Sequence, residues 1–232
     1  MPYVRMPRGG IPTPRAKLAA ATPYRITGTT PPNSIVIPSQ LAFWGNNQYG
    51  DCVTAEEAFA KACYQPEIFI SDQEAINWAN QHNFLNGAYL NAVLETMVND
   101  GFQQDGRTYD DGGAYSVDWT NCPLLQNAIS QGPVKLGIAA DQLNKVYTYG
   151  ESGWFATGFY PDSAEDHCVS LCGYGTIAWL AQQLQVGVPT SVDGGQPGYA
   201  MFTWETIGVI DEPSMVAITH EAWLRSPTTN VA

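Results

Sequence analysis

The sequence predicts an α+β fold, with helices gathered in its first half and strands in its second. Two patterns carry that reading. Apolar residues recur at helical spacing between Val53 and Val98, and runs rich in β-branched and aromatic residues fill the stretch from Val134 to Thr219. No internal repeat interrupts this order. With 232 residues, 44% of them hydrophobic, the chain has enough apolar surface for one large domain or two lobes sharing an interface.

Residues 1–34 form a basic, proline-rich arm. The first 40 residues hold five Lys or Arg, no Asp or Glu, and eight of the sixteen prolines. They read as an extended strap that docks on an acidic body and becomes ordered near Ile35, or as a partly disordered tail. Residues 35–232 form the body, helical from about 35 to 115 and strand-rich from about 116 to 232.

Within the body, Val53, Ala55, Ala58 and Phe59 mark a helix, and Ser71 with Glu74 has capping-box spacing ahead of a second. Leu90, Val93, Leu94, Met97 and Val98 mark a third, ending at Gly101. The run DGRTYDDGG lacks the alternating ligand spacing of a calcium loop and reads as a solvated turn. Asn121 to Gln131 reads as a helix with Pro123 in its first turn and Gly132 at its stop. Strands are expected at Val134–Ala140, Cys168–Tyr174, Val186–Val192, Tyr199–Trp204 and Ser214–Thr219, with a hairpin signal at Asp193–Gly195.

Charge narrows the function. A formal net charge of −12, concentrated beyond the arm, argues against a polyanionic partner such as nucleic acid. No apolar run reaches the length of a membrane span and MPYVRMPRGG lacks a signal-peptide core, so no membrane partner is expected and the location tips towards the cytoplasm. Five cysteines, an odd number without zinc-type spacing, imply no metal site and at least one unpaired thiol. The oligomeric state is not legible.

Chemistry concentrates in WGNNQYGDCVTAEEAF, where Cys52 falls at the point where a glycine-flanked turn becomes a helix. Unpaired N–H groups and the positive end of the helix dipole favour a thiolate there, although a small buried apolar residue is an equally ordinary use of cysteine. A nucleophilic cysteine needs a base, and the candidates are His82, His167 and His220. His167 opens the run DHCVSLCGYG at the start of a strand, where a side chain faces a cleft; His82 reads as a polar helix end and His220 as following a strand.

The run AEDHCVSLCGYG resembles the histidine strand of papain-like cysteine peptidases. NNQYGDCVTAEEAF resembles that superfamily's nucleophile helix start, NAISQGPVKLGIAA its helix and following strand, and YAMFTWETIG its later strand. The likeness runs in order from about Trp44 to about Gly208, and the GDC turn is closest to compact bacterial and phage relatives. It implies a two-lobe fold with a cleft, Cys52 as nucleophile and His167 as base, 115 residues apart, somewhat short of the roughly 130–150 usual for the family. The implied activity is hydrolysis of a peptide or amide bond in a peptide or protein substrate through a thioester, with no cofactor. The alternatives are a catalytically silent peptide-binding homologue and an acyl transferase.

Two positions depart from the pattern. For the oxyanion donor, Asn46, which preserves the offset from the nucleophile, ranks slightly above Gln48, which preserves the residue type, with a turn supporting its own backbone as the alternative. The asparagine that holds the histidine is missing from TWETIG; Thr203 is the expected hydrogen-bond partner of His167 and Trp204 the expected indole shield, against the ordinary reading of a core tryptophan. No stretch resembles the family's inhibitory propeptide, and the short arm is a poor substitute for one.

Overall fold

The computed structural model describes residues 5–231. Its elements in order are β1 (Gly10–Ile11), α1 (Arg15–Ala20), β2 (Ser34–Ile35), α2 (Cys52–Ala62), α3 (Asp72–Gln81), β3 (Ala88–Tyr89), α4 (Leu90–Asn99), β4 (Phe102–Gln104), β5 (Arg107–Asp111), β6 (Ala114–Ser116) and α5 (Cys122–Gln131). There follow β7 (Val134–Ile138), α6 (Leu143–Val146), β8 (Phe155–Ala156), β9 (His167–Thr176), α7 (Ile177–Gln183), β10 (Pro197–Thr203), β11 (Thr206–Asp211), α8 (Glu212–Ile218), β12 (Thr219–Arg225) and β13 (Thr228–Val231). The fold is mixed α+β, built on one large sheet ordered β6-β12-β7-β9-β10-β11-β8.

Strand β9 is the axis of the molecule, flanked by β7 and β10 in antiparallel register. Its alternate residues serve two cores: Cys168 and Cys172 join the cluster on the α2 side, and Val169 and Leu171 join the cluster packed by α5. Helix α2 is buried along its whole length, and its Phe59 stacks on Phe202 of β10 with ring centroids 3.9 Å apart. That contact holds the second half of α2 against β10.

Buried acids and bases add a second tie. Glu56, Glu57 and Lys61 on α2 pair with Lys135 of β7, Arg225 of β12 and Asp111 of β5; Lys61 to Asp111 and Arg225 to Glu56 are both 2.5 Å. These charges all lie where water does not reach.

The capping residues act as the sequence implies. Ser71 Oγ accepts from Glu74 N, and Asn121 Oδ1 accepts from Leu124 N at the start of α5. Five local expectations are corrected. DGRTYDDGG is the β4–β5 hairpin, turning at Asp105–Gly106 with φ of +53° and +73°, and Asp111 is buried against Lys61. Ser214–Thr219 is mostly helix, because Asp211 caps Ser214 N and Pro213 sits in the first turn. Val186–Val192 is irregular, and Asp193–Gly195 turns the chain into β10 without closing a hairpin. The arm acquires regular structure at Gly10, well before Ile35.

Among the described residues no helix is long and apolar enough to cross a membrane. All five cysteines are free, and only Cys122 is not buried.

Candidate active site

Cys52 stands first in α2, and His167 stands first in β9, paired in register with Ile138 of β7. Both are buried. The imidazole is held on two sides: Nε2 lies 2.8 Å from Thr203 Oγ1, and the ring stacks on Trp204 at 4.2 Å with an 18° tilt. Nδ1 has no hydrogen-bond partner.

Trp204 reaches this place through a costly turn. Thr203 pairs with Thr206 across β10–β11, leaving Trp204 and Glu205 as a two-residue hairpin loop with φ of +42° and +66°. Such a loop normally takes Asn-Gly, and a bulky side chain at positive φ is a strained exception. Three contacts hold the indole against the strain: the His167 stack, an edge contact to Tyr147 at 5.1 Å, and a hydrogen bond from Nε1 to Pro7 O at 3.1 Å. Strain of this kind collects at functional sites.

Pro7 belongs to the N-terminal arm, which runs through the cleft. Gly10 N donates to Asp166 O at 3.1 Å, Ala88 N donates to Gly9 O at 2.9 Å, and Gly10–Ile11 pairs in parallel with Ala88–Tyr89. The fit admits only glycine. A Cβ on Gly9 would lie 1.7 Å from Gly50 O, and one on Gly10 would lie 2.7 Å from the carbonyl carbon of His167. The strap thus wedges its Gly-Gly pair between the turn that precedes α2 and the start of β9. The arm lies against both Cys52 and the His167 backbone.

The electrostatic result is opposite to the ion pair the sequence implies. Burial pushes the Cys52 thiol up to about 12, despite the N–H groups of Cys168 and Gly9 that point at its sulfur. Burial also holds His167 well below the usual imidazole range, and the nearby Arg8 charge adds to the effect. Thiol and imidazole are both neutral. Next to Cys52, burial raises the Asp51 carboxyl to about 8, against partial relief from its own backbone and the Asn46 amide.

The remaining candidates separate. Asn46 is buried with its Nδ2 donating to Tyr49 O at 2.9 Å, so its amide supports its own turn, and Gln48 is exposed. Neither is drawn to the sulfur. His82 pairs with Asp100 at 3.1 Å and His220 Nε2 lies 2.8 Å from Asp162 O, both apart from Cys52. Sequence reasoning missed Arg8, Gly9 and Gly10. Their signal was adjacent glycines in an otherwise proline-rich arm, a pairing that points to close backbone approach.

No family model and no curated protein matches the chain. Solved structures do. Xylellain, a cysteine protease from Xylella fastidiosa, superposes with a TM-score of 0.64 at 11% identity, covering 97% of this chain and 98% of that one. A digestive procathepsin L 3 from Tenebrio molitor larval midgut gives 0.62 at 16% identity over 89% of this chain and 73% of that one. The bromelain protease from Ananas comosus, in complex with the E64 inhibitor, gives 0.58 at 13% identity over 85% and 99%. The fold is papain-like, and these structural neighbours are cysteine proteases.

Proposed function

We propose that the chain is a cysteine peptidase or amidase whose N-terminal strap fills its own substrate groove. The observation that carries this is the setting of His167, gripped by Thr203 and a strained Trp204 at the mouth of a groove that already holds an extended backbone. A buried histidine in a purely structural role has no use for such a turn.

With the strap displaced, water and substrate reach both groups, and the helix dipole together with an imidazolium favours the thiolate of Cys52. The thiolate attacks the carbonyl carbon, and the oxygen that gains charge meets the first N–H groups of α2. His167 protonates the departing amine and then takes a proton from the water that hydrolyses the thioester. Thr203 keeps the ring oriented and Trp204 keeps its far face dry.

A second reading, a silent peptide-binding homologue, draws on the unpartnered Nδ1 and the inward turn of Asn46.

Iodoacetamide labelling with peptide mapping separates the two. Once the strap is displaced, Cys52 is expected to become the most reactive of the five thiols at mildly acidic pH, and His167→Ala to abolish that selectivity. If Cys52 stays inert with the groove open, the silent homologue is the correct description.

A further inference from the structure

Arg8 sits in a pocket formed for its guanidinium. Its side chain is 7% exposed, Nη1 lies 2.6 Å from Asp141 Oδ1 and 2.5 Å from Asp166 Oδ2, and Nη2 donates to Ala140 O at 3.2 Å. Asp166 is itself locked, since its other carboxylate oxygen accepts from Ala140 N at 3.0 Å. Burial opposes the Arg8 charge, yet hydrogen bonds to the two aspartates hold its pKa raised.

The position of the pocket relative to the chemistry gives it a meaning, on the reading of the site as a peptidase. Asp166 directly precedes His167, and its carbonyl accepts from Gly10 N. Arg8 is followed by Gly9, whose N–H faces the Cys52 sulfur, and preceded by Pro7, whose carbonyl binds Trp204. The pocket therefore flanks the imidazole and Trp204. An imidazole that protonates a departing amine must face that amine, so the leaving-group half of a substrate lies on this side.

We propose that Asp141, Asp166 and the Ala140 carbonyl form a specificity subsite for a guanidinium or ammonium side chain near the start of the leaving-group half of the substrate, and that Arg8 occupies it in the strapped protein. A guanidinium there meets two carboxylates through one nitrogen and a carbonyl through the other, and an uncharged side chain forfeits these charge-assisted bonds. The acidic body would draw basic peptides to it.

The test uses full-length Arg8→Ala/Gly9→Ala, which empties the pocket and sets a methyl group against Gly50 O so that the strap lifts, and quenched peptides that differ only at the first leaving-group residue: Arg, norleucine or Glu. We expect kcat/KM to favour Arg over norleucine by about tenfold or more, with Glu worst, and Asp141→Asn in the same background to shrink that ratio several-fold. Cleavage with no preference, or a preference that Asp141→Asn leaves intact, would overturn the subsite while leaving the peptidase reading standing. If no peptide is cleaved and Cys52 is inert, the peptidase reading fails, and binding decides the pocket. Ethylguanidinium should then raise the Tm of Arg8→Ala at concentrations where ethylurea does not, and the rise should be lost in Arg8→Ala/Asp141→Asn; equal effects of the two compounds would refute the pocket.

Discussion

Helix α2 carries two buried polar regions one turn apart, and they resolve burial in opposite ways. At its first residue, Cys52 is forced up to about 12 and stays a thiol; one turn on, burial alone would raise Glu57, but Arg225, Lys135 and Lys61 outweigh it and hold the carboxyl down at about 2. The helix, the depth and the dryness are shared. Only the partners differ: Glu57 faces fixed cations from β7 and β12, whereas the Cys52 sulfur meets only the backbone N–H groups of Cys168 and Gly9. Burial neutralises a group unless the fold supplies its counter-charge. The ionic cluster is a permanent tie between helix and sheet, and on the peptidase reading the charge of Cys52 is held off until water enters.

The largest effect should come from breaking the tie. Glu57→Gln leaves Lys135 and Arg225 short of a buried anion, and such losses destabilise by about 3–5 kcal/mol. Urea unfolding measures it. A loss under about 1 kcal/mol, the range of exposed pairs, would mean that water reaches the cluster.

Asp51, next to Cys52, should act on stability with the sign opposite to Glu57. Its folded-state value of about 8 stands above the ordinary carboxylate value of 3.8, so the native chain holds a proton that the unfolded chain has released. Stability therefore falls as pH rises from about 4 to 8. Glu57, at about 2 against 4.5, contributes stability that is present above pH 4.5 and lost as pH drops towards 2. The maximum is expected at mildly acidic pH. Asp51→Asn should flatten the fall on the alkaline side, gaining on the order of 5 kcal/mol at pH 8. A Tm profile unchanged by that substitution would show that Asp51 is ionised in the folded protein.

The two regions were also unequally legible. The position of Cys52 could be read from a glycine-flanked turn running into an apolar helical period, and His167 from the strand motif it opens, because these are local patterns. The cluster could not be read: Lys61, Asp111, Lys135 and Arg225 come together only when β5, β7 and β12 assemble around α2, and Asp111 looked like a loop residue for the same reason. The strap lies between these extremes. Its proline content spoke for extension, but its course through the cleft depends on a parallel pairing with β3 nearly 80 residues away, beyond any local signal. The hairpin loop at Trp204–Glu205 was hidden because its residues are the wrong ones for such a turn.

A smaller and sharper effect tests the reversible half of the comparison. Gly9→Ala places a methyl group against Gly50 O, so the strap must lift, whereas Gly187→Ala meets nothing within 4 Å and serves as the control. With water admitted, the Cys52 thiol should fall from about 12, and each unit recovered is about a tenfold gain in thiolate at neutral pH. Alkylation of Cys52 at pH 7 should rise at least about tenfold in Gly9→Ala and stay level in Gly187→Ala. Equal rates in both would mean that the strap is not what desolvates the sulfur.

The smallest effect belongs to Thr203, because it changes the orientation of the pair without changing its burial. Thr203→Ala removes the group 2.8 Å from His167 Nε2 and leaves a second ring nitrogen unpartnered in a dry site, where one lost hydrogen bond destabilises by about 1 kcal/mol. The Trp204 stack persists, so the ring keeps its plane and loses only its rotational setting. In the Gly9→Ala background, Cys52 alkylation should therefore fall only a few-fold, and Thr203→Ser should restore it by returning the hydroxyl. The pH profile gives the discriminating reading. An imidazolium no longer held by Thr203 loses its proton at lower pH, so the alkaline limb of the labelling profile should move down in Thr203→Ala and return in Thr203→Ser. A drop in stability with no movement of that limb would make Thr203 a packing residue of β10, and the grip on His167 would then rest on Trp204 alone.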